Sequence, residues 1–139
     1  MTSTSTAHRR TGALAPAGRS PLAVRAAAGL VVLLATASTA GLLLFGVVWS
    51  DDPLGPGVVF TAFMLATAVT AVAAVPSLLR GTMTGWAVTG VWGCCYTYWS
   101  VYKVFGEQEF ESAGFLAAGC GVVALLATRS AREHAGTAR

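Results

Sequence analysis

From Ala26 to Trp49 the chain runs for about 24 residues without a charged side chain, roughly 36 Å at helical rise. A hydrocarbon core of about 30 Å needs no more than that. No other feature restricts the fold as strongly. A soluble domain of 139 residues has a high surface-to-volume ratio and little interior in which to hide such a run. A bilayer removes the difficulty, because lipid is itself the apolar solvent. The rest of the chain agrees: 55% of residues are hydrophobic and 11% charged, against about a quarter charged in soluble domains.

Four apolar segments can be marked, at about 22–49, 58–79, 86–105 and 112–128. The first passes through Ala35-Thr36-Ala37-Ser38-Thr39-Ala40, which mimics a signal-peptidase site. Apolar residues nevertheless continue to Trp49, too far for an ordinary signal-peptide core, so a retained span is expected. The segment Ser50 to Gly57 is dense in helix breakers and reads as a turn outside the lipid. Pro76 lies near the end of the second segment, where it kinks or terminates the helix. Arg80 to Gly85 is a short polar connection, and the fourth segment, about 17 residues, sits at the lower limit for crossing. Residues 1–21 are rich in Ser, Thr, Ala, Gly and Arg, without apolar periodicity, and read as a disordered tail. Residues 129–139 read as a second polar tail.

Short connections favour antiparallel neighbours. The expected fold is therefore all-α: an integral membrane protein of four transmembrane helices in an up-down antiparallel bundle, forming one domain. Charge sets its orientation. With the N-terminus in the cytoplasm, Arg9, Arg10, Arg19, Arg25, Arg80, Arg129, Arg132 and Arg139 all lie inside, and Lys103 alone lies near the outside. Asp51, Asp52, Glu107, Glu109 and Glu111 then fall outside, leaving Glu133 inside. Short loops follow the positive-inside rule, so both termini are expected in the cytoplasm. The preference for Arg over Lys, with much Ala, Gly and Val, is typical of GC-rich bacterial genomes, and a multi-pass protein of the bacterial plasma membrane is expected. The net charge of +3 does not point to nucleic acid, since the arginines cap apolar runs and form no basic stripe.

Small residues recur at four-residue spacing. Gly85, Thr89, Gly93 and Thr97 share one stripe of the third segment, as do Ala62, Ala66, Thr70 and Ala74 in the second. Ala37 with Gly41 and Ala117 with Gly121 make shorter pairs. Such stripes let helix backbones approach where lipid offers no hydrophobic drive. An Ala- and Gly-rich chain also generates these spacings by composition alone. The packing reading is strongest for the third segment.

The third segment also concentrates aromatic mass in Trp92, Tyr96, Tyr98, Trp99, Tyr102 and Phe105, with Trp49, Phe110 and Phe115 at comparable depth. Trp and Tyr favour the headgroup level, being apolar rings with a polar handle. Trp92 lies deep for such a belt. Trp92, Tyr96, Trp99, Tyr102 and Lys103 are therefore the candidate surface for a partner, lipid, quinone or aromatic drug. Lys103 can pair with Glu107 one turn later or snorkel to the headgroups.

Glu107, Glu109 and Glu111 alternate, so an extended loop would set them on one face, an arrangement open to a divalent cation or a basic partner. They match no calcium-loop spacing, and keeping the loop wet is the plainer role. Cys94, Cys95 and Cys120 lie near the middles of their segments. Adjacent cysteines diverge on a helix and burial raises a thiol pKa, so they read as buried small hydrophobes in preference to a redox pair. His8 and His134 lie in opposite tails and give no metal site or catalytic dyad.

The apolar segments hold no carboxylate or histidine, the groups that proton-coupled transport uses inside membranes. The expected function is a non-catalytic accessory or assembly subunit, or helix-packing partner, of a larger bacterial membrane complex, without cofactor or metal. A small oligomeric transporter or pore that does not use a membrane carboxylate is the alternative. A membrane enzyme acting on lipid, quinone or thiol comes third. Expected partners are membrane lipids together with a larger complex or further copies of the chain.

Overall fold

The computed structural model describes residues 20–48 and 56–137, with side chains described throughout except at 44–48, 56–60 and 111. The expected N-terminal tail up to Arg19, and the turn with Trp49, Ser50, Asp51 and Asp52, lie outside the described residues. So do Ala138 and Arg139.

Among the described residues there is no strand. The helices are α1 (Leu22–Val48), α2 (Pro56–Leu79), α3 (Met83–Val101), α4 (Ala113–Ala127) and a short α5 (Arg129–His134). A π-helical turn, Tyr102–Gly106, extends α3, and a 3-10 turn, Phe110–Ser112, leads into α4. Two helical stretches, Leu22–Leu43 and Thr61–Leu79, are long and apolar enough to cross a membrane, and Ala113–Ala127 is apolar but shorter.

Local chemistry explains the boundaries. α2 opens on Pro56, whose missing N–H costs nothing in a first turn. Pro76 sits inside α2 without ending it, because only one intrahelical bond is lost so near the terminus. The helix stops at Gly81, whose φ of 75° lets the Gly81 N–H reach Leu78 O at 3.0 Å and the Thr82 N–H reach Ser77 O at 3.1 Å. Thr82 then caps α3, its Oγ1 accepting from the Gly85 N–H at 3.1 Å. One glycine and one threonine thus turn the chain between two helices.

α1 packs on α2, α2 on α3, α3 on α4, and α4 back on α1. α3 and α4 run antiparallel: Trp86 reaches Leu126, Gly93 lies beside Val122, and Thr97 lies beside Gly119. The core is supplied chiefly by Val24, Ala27, Ala28, Val31 and Leu34 of α1, at helical spacing, with Ala71 and Leu78 of α2, and Val122 and Leu126 of α4. The exterior is apolar as well. Leu33, Leu43, Phe63, Val69, Val91, Phe105 and Phe110 are each more than 60% exposed.

The segment expected as a polar C-terminal tail holds a short helix. Thr128 Oγ1 accepts from the Ala131 N–H and starts α5, which touches α1 and α4. Ala131 and Ala135, one turn apart, are buried beneath it. His134 Nε2 lies 3.1 Å from Leu79 O, so α5 folds back onto the end of α2. A Cβ on Gly81 would come within 2.5 Å of His134 O. Glycine is needed there twice over, for its φ and for that approach.

Candidate functional site

α3 and the π-helical turn that extends it carry most of the residues that the sequence singles out, and divide them between two surfaces. The small stripe of α3 faces inward. Gly85, Thr89 and Gly93 are buried and Thr97 is half-buried. A Cβ at Gly85 would stand 2.3 Å from Leu78 N, so the backbones of α2 and α3 are in direct apposition. At Gly93 it would meet Val122 Cγ1 at 3.1 Å. The α4 counterpart is Gly119, where a Cβ would lie 2.8 Å from Thr97 Oγ1. Thr89 and Thr97 return their hydroxyls to their own helix, at Gly85 O and Gly93 O, and so bury no unpaired polar atom.

The other stripes behave differently. Ala62, Ala66 and Thr70 are exposed, and only Ala74 of that set is buried. α2 buries Ala68, Ala71, Ala74 and Leu78 in their place. Ala117 is exposed, and a Cβ on Gly41 would meet no described atom within 4 Å.

The aromatic residues split along α3. Trp92 and Tyr96 are half-buried against the core, their ring centroids 5.0 Å apart, and Phe115 of α4 meets Tyr96 edge-on at 6.5 Å. The phenol of Tyr96 and the hydroxyl of Ser38 share a hydrogen bond of 2.8 Å across to α1. Trp92 packs against the core between helices. Further along, Trp99 and Tyr102 are 5.8 Å apart, and Lys103 Nζ lies 5.7 Å from the Trp99 centroid. Tyr98, Tyr102 and Phe105 are exposed. The five candidate residues therefore form an inward pair, Trp92 and Tyr96, and a terminal group of Trp99, Tyr102 and Lys103.

The loop after α3 is not extended. The π-helical turn is closed by the Glu107 N–H bonding Tyr102 O, and Gln108 takes φ 58°. Lys103 pairs with Glu107 and also with Glu109, the latter at 3.2 Å. Glu107 and Glu109 thus converge on one ammonium, and the side chain of Glu111 lies outside the described residues. No three His, Cys, Asp or Glu side chains come together as a metal-binding group among the described residues.

The cysteines also correct the sequence reading. Cys94, Cys95 and Cys120 are free and exposed on the exterior of the helices. Gly93 holds the inward position, and steps of about 100° per residue carry Cys94 and Cys95 away from it.

Three residues that matter to the packing were not singled out from the sequence. Ser38 bonds Tyr96, Trp86 donates its indole N–H to Leu126 O at 3.1 Å, and Ser100 is buried with its hydroxyl on Tyr96 O. The cluster Thr36, Ser38 and Thr39 within an apolar run was the available signal for the first. Between α1 and α2 lies an open groove of about 610 Å³, lined by Ala35, Thr39, Leu43, Ala68, Val69 and Val72 among others. Comparison with protein-family models, with curated proteins and with solved structures finds no match.

Proposed function

We propose that this chain is a small non-catalytic integral membrane protein whose helices α1 to α4 form an antiparallel bundle across the bacterial plasma membrane. It serves as an accessory or assembly subunit that packs against a larger membrane complex. The observation that carries the reading is the contrast between a closed interior and an apolar exterior. Inside, Val24, Val31, Leu78 and Val122 fill the space between helices, and the buried polar side chains, Thr89 and Ser100, are bonded to their own helix. No buried charge offers a route or a reaction centre among the described residues. Outside, large apolar side chains cover the helices, a surface suited to lipid and to neighbouring helices.

The end bearing Arg25, Arg80, Arg129 and Arg132 faces the cytoplasm, and the end bearing Lys103, Glu107 and Glu109 faces outward. The test of function is native mass spectrometry of protein gently extracted from its own membrane. Co-extraction with larger subunits supports the accessory role. A ring of identical copies with no other subunit would overturn it in favour of an oligomeric transporter or pore. Orientation is tested by labelling Ser50→Cys and Thr137→Cys in a background where Cys94, Cys95 and Cys120 are alanine, since all three are exposed. Labelling at position 137 from outside intact cells would reverse the topology.

A further inference from the structure

The two ends of the helix assembly carry opposite charge balances. At one end Lys103 is held by two carboxylates, so its cation is satisfied within the chain. At the other end Arg25 stands in the first turn of α1, Arg80 follows α2, and Arg129 and Arg132 lie on α5, which brings them beside the ends of α1 and α2. Arg129 pairs with Glu133 at 2.6 Å. Arg25, Arg80 and Arg132 are exposed and pair with no described carboxylate.

Arg80 and Arg132 are unremarkable on their own helices, since cations are favoured at helix C-termini. Arg25 is not. It places a cation at the positive end of the 27-residue α1, whose first turn contains no acid. Residues 1–50 contain no Asp or Glu at all, so the chain has nothing nearby in sequence to neutralise that position. Around this end the exposed side chains of Leu22, Leu79 and Met83 are apolar. Basic groups above an apolar rim match a lipid: phosphate oxygens meet guanidinium forks, and acyl chains run down the helices.

We propose that Arg25, Arg80 and Arg132 form a seat for the headgroup of an anionic phospholipid. α5, which contacts α1 and whose His134 lies 3.1 Å from Leu79 O, sets Arg132 at the same end of the assembly as Arg25 and Arg80. The inference rests on the membrane reading above and adds a lipid preference to it. A soluble anion would use the guanidinium groups but not the apolar rim.

The experiment places the full chain in nanodiscs with equal phosphatidylglycerol and phosphatidylcholine and counts retained lipids after gentle release. The chain is expected to retain phosphatidylglycerol over phosphatidylcholine by about ten-fold or more, each arginine contributing about five-fold when fully engaged. The triple variant Arg25→Gln, Arg80→Gln, Arg132→Gln brings the ratio close to one, whereas Lys103→Gln at the opposite end leaves it unchanged. The three arginines are exposed, and circular dichroism of the variant checks that the helices persist. As a measurement independent of any variant, raising salt to about 0.5 M shortens the screening length to about 4 Å and is expected to reduce the preference of the unaltered chain. Equal retention of both lipids by the unaltered chain, or an unchanged preference in the triple variant, overturns the proposal. Displacement of the lipid by millimolar inorganic phosphate would also overturn it, leaving a phosphate site and not a lipid seat. Extraction of the chain from membranes by alkaline carbonate would instead overturn the membrane reading itself. A chain that resists carbonate yet shows no lipid preference refutes the seat alone.

Discussion

α2 and α3 carry stripes of small residues at the same four-residue spacing, and the fold uses them in opposite ways. In α3, Gly85, Thr89 and Gly93 are buried at the contacts with α2 and α4. In α2, Ala62, Ala66 and Thr70 look outward, and the buried set is Ala68, Ala71, Ala74 and Leu78. Spacing therefore does not assign a face. What separates the two stripes is the absence of a Cβ at the point of closest approach. Gly85 lets the α2 backbone come nearer than any side chain permits, whereas Ala62 and Ala66 of α2 are exposed.

The comparison is broken most directly at Gly85. Gly85→Ala sets a Cβ 2.3 Å from a backbone nitrogen, and backbone cannot rotate out of the way as a side chain does. We expect a loss of about 3 kcal/mol or more, outweighing the roughly 1 kcal/mol that alanine gains in a helix. Reversible unfolding in mixed detergent, followed by helical circular dichroism, reads this out; a variant as stable as the parent would show that α2 and α3 do not approach so closely. Gly119→Ala is expected to cost less, about 1–2 kcal/mol, because its nearest contact is the Thr97 hydroxyl and a side chain can yield. The same assay is expected to rank it between Gly85→Ala and the parent.

Tyr96→Phe removes the cross-helix bond to Ser38 while leaving the ring packed against Trp92 and Phe115. Interhelical hydrogen bonds in membranes average about 0.6 kcal/mol, and a loss near that size is expected. A double-mutant cycle with Ser38→Ala isolates it, and additive losses would deny the coupling. The smallest effect reverses sign. Gly41→Ala meets no described atom within 4 Å, so it is expected to stabilise α1 by up to about 1 kcal/mol through helix propensity. A destabilised Gly41→Ala would mean that the Ala37–Gly41 pair is a packing contact after all.

Part of this architecture could be read from residues in order. The apolar run expected at 22–49 appears as helix 22–48, and the one expected at 58–79 appears as helix 56–79. The polar connection expected at 80–85 contains Gly81, where α2 ends, and Lys103 pairs with Glu107 one turn on. These are local matters: hydrophobic length, a residue able to take positive φ, and charges four apart all act within one stretch of chain. In the candidate site, the two glycines of the third segment pointed to a close approach, but only the folded chain sets Gly85, Thr89 and Gly93 inward. The addition of Glu109 to the Lys103 pair was not legible, because it depends on Gln108 turning the loop back.

What the sequence determined, then, was where the two long apolar helices lie. Tertiary structure alone decided which way each helix faces. α2 carries large apolar side chains outside as well as in, Phe63, Leu65, Val69 and Val72 exposed and Ala68, Ala71 and Leu78 buried, so hydrophobicity cannot distinguish the face that meets α1 from the exterior. The outward turn of Cys94, Cys95 and Cys120, the Ser38–Tyr96 bond and the inward pair of Trp92 and Tyr96 all follow from that choice. The polar C-terminal segment became α5 for a related reason. Its two buried alanines gain a surface to cover only once α1, α2 and α4 have brought their ends together.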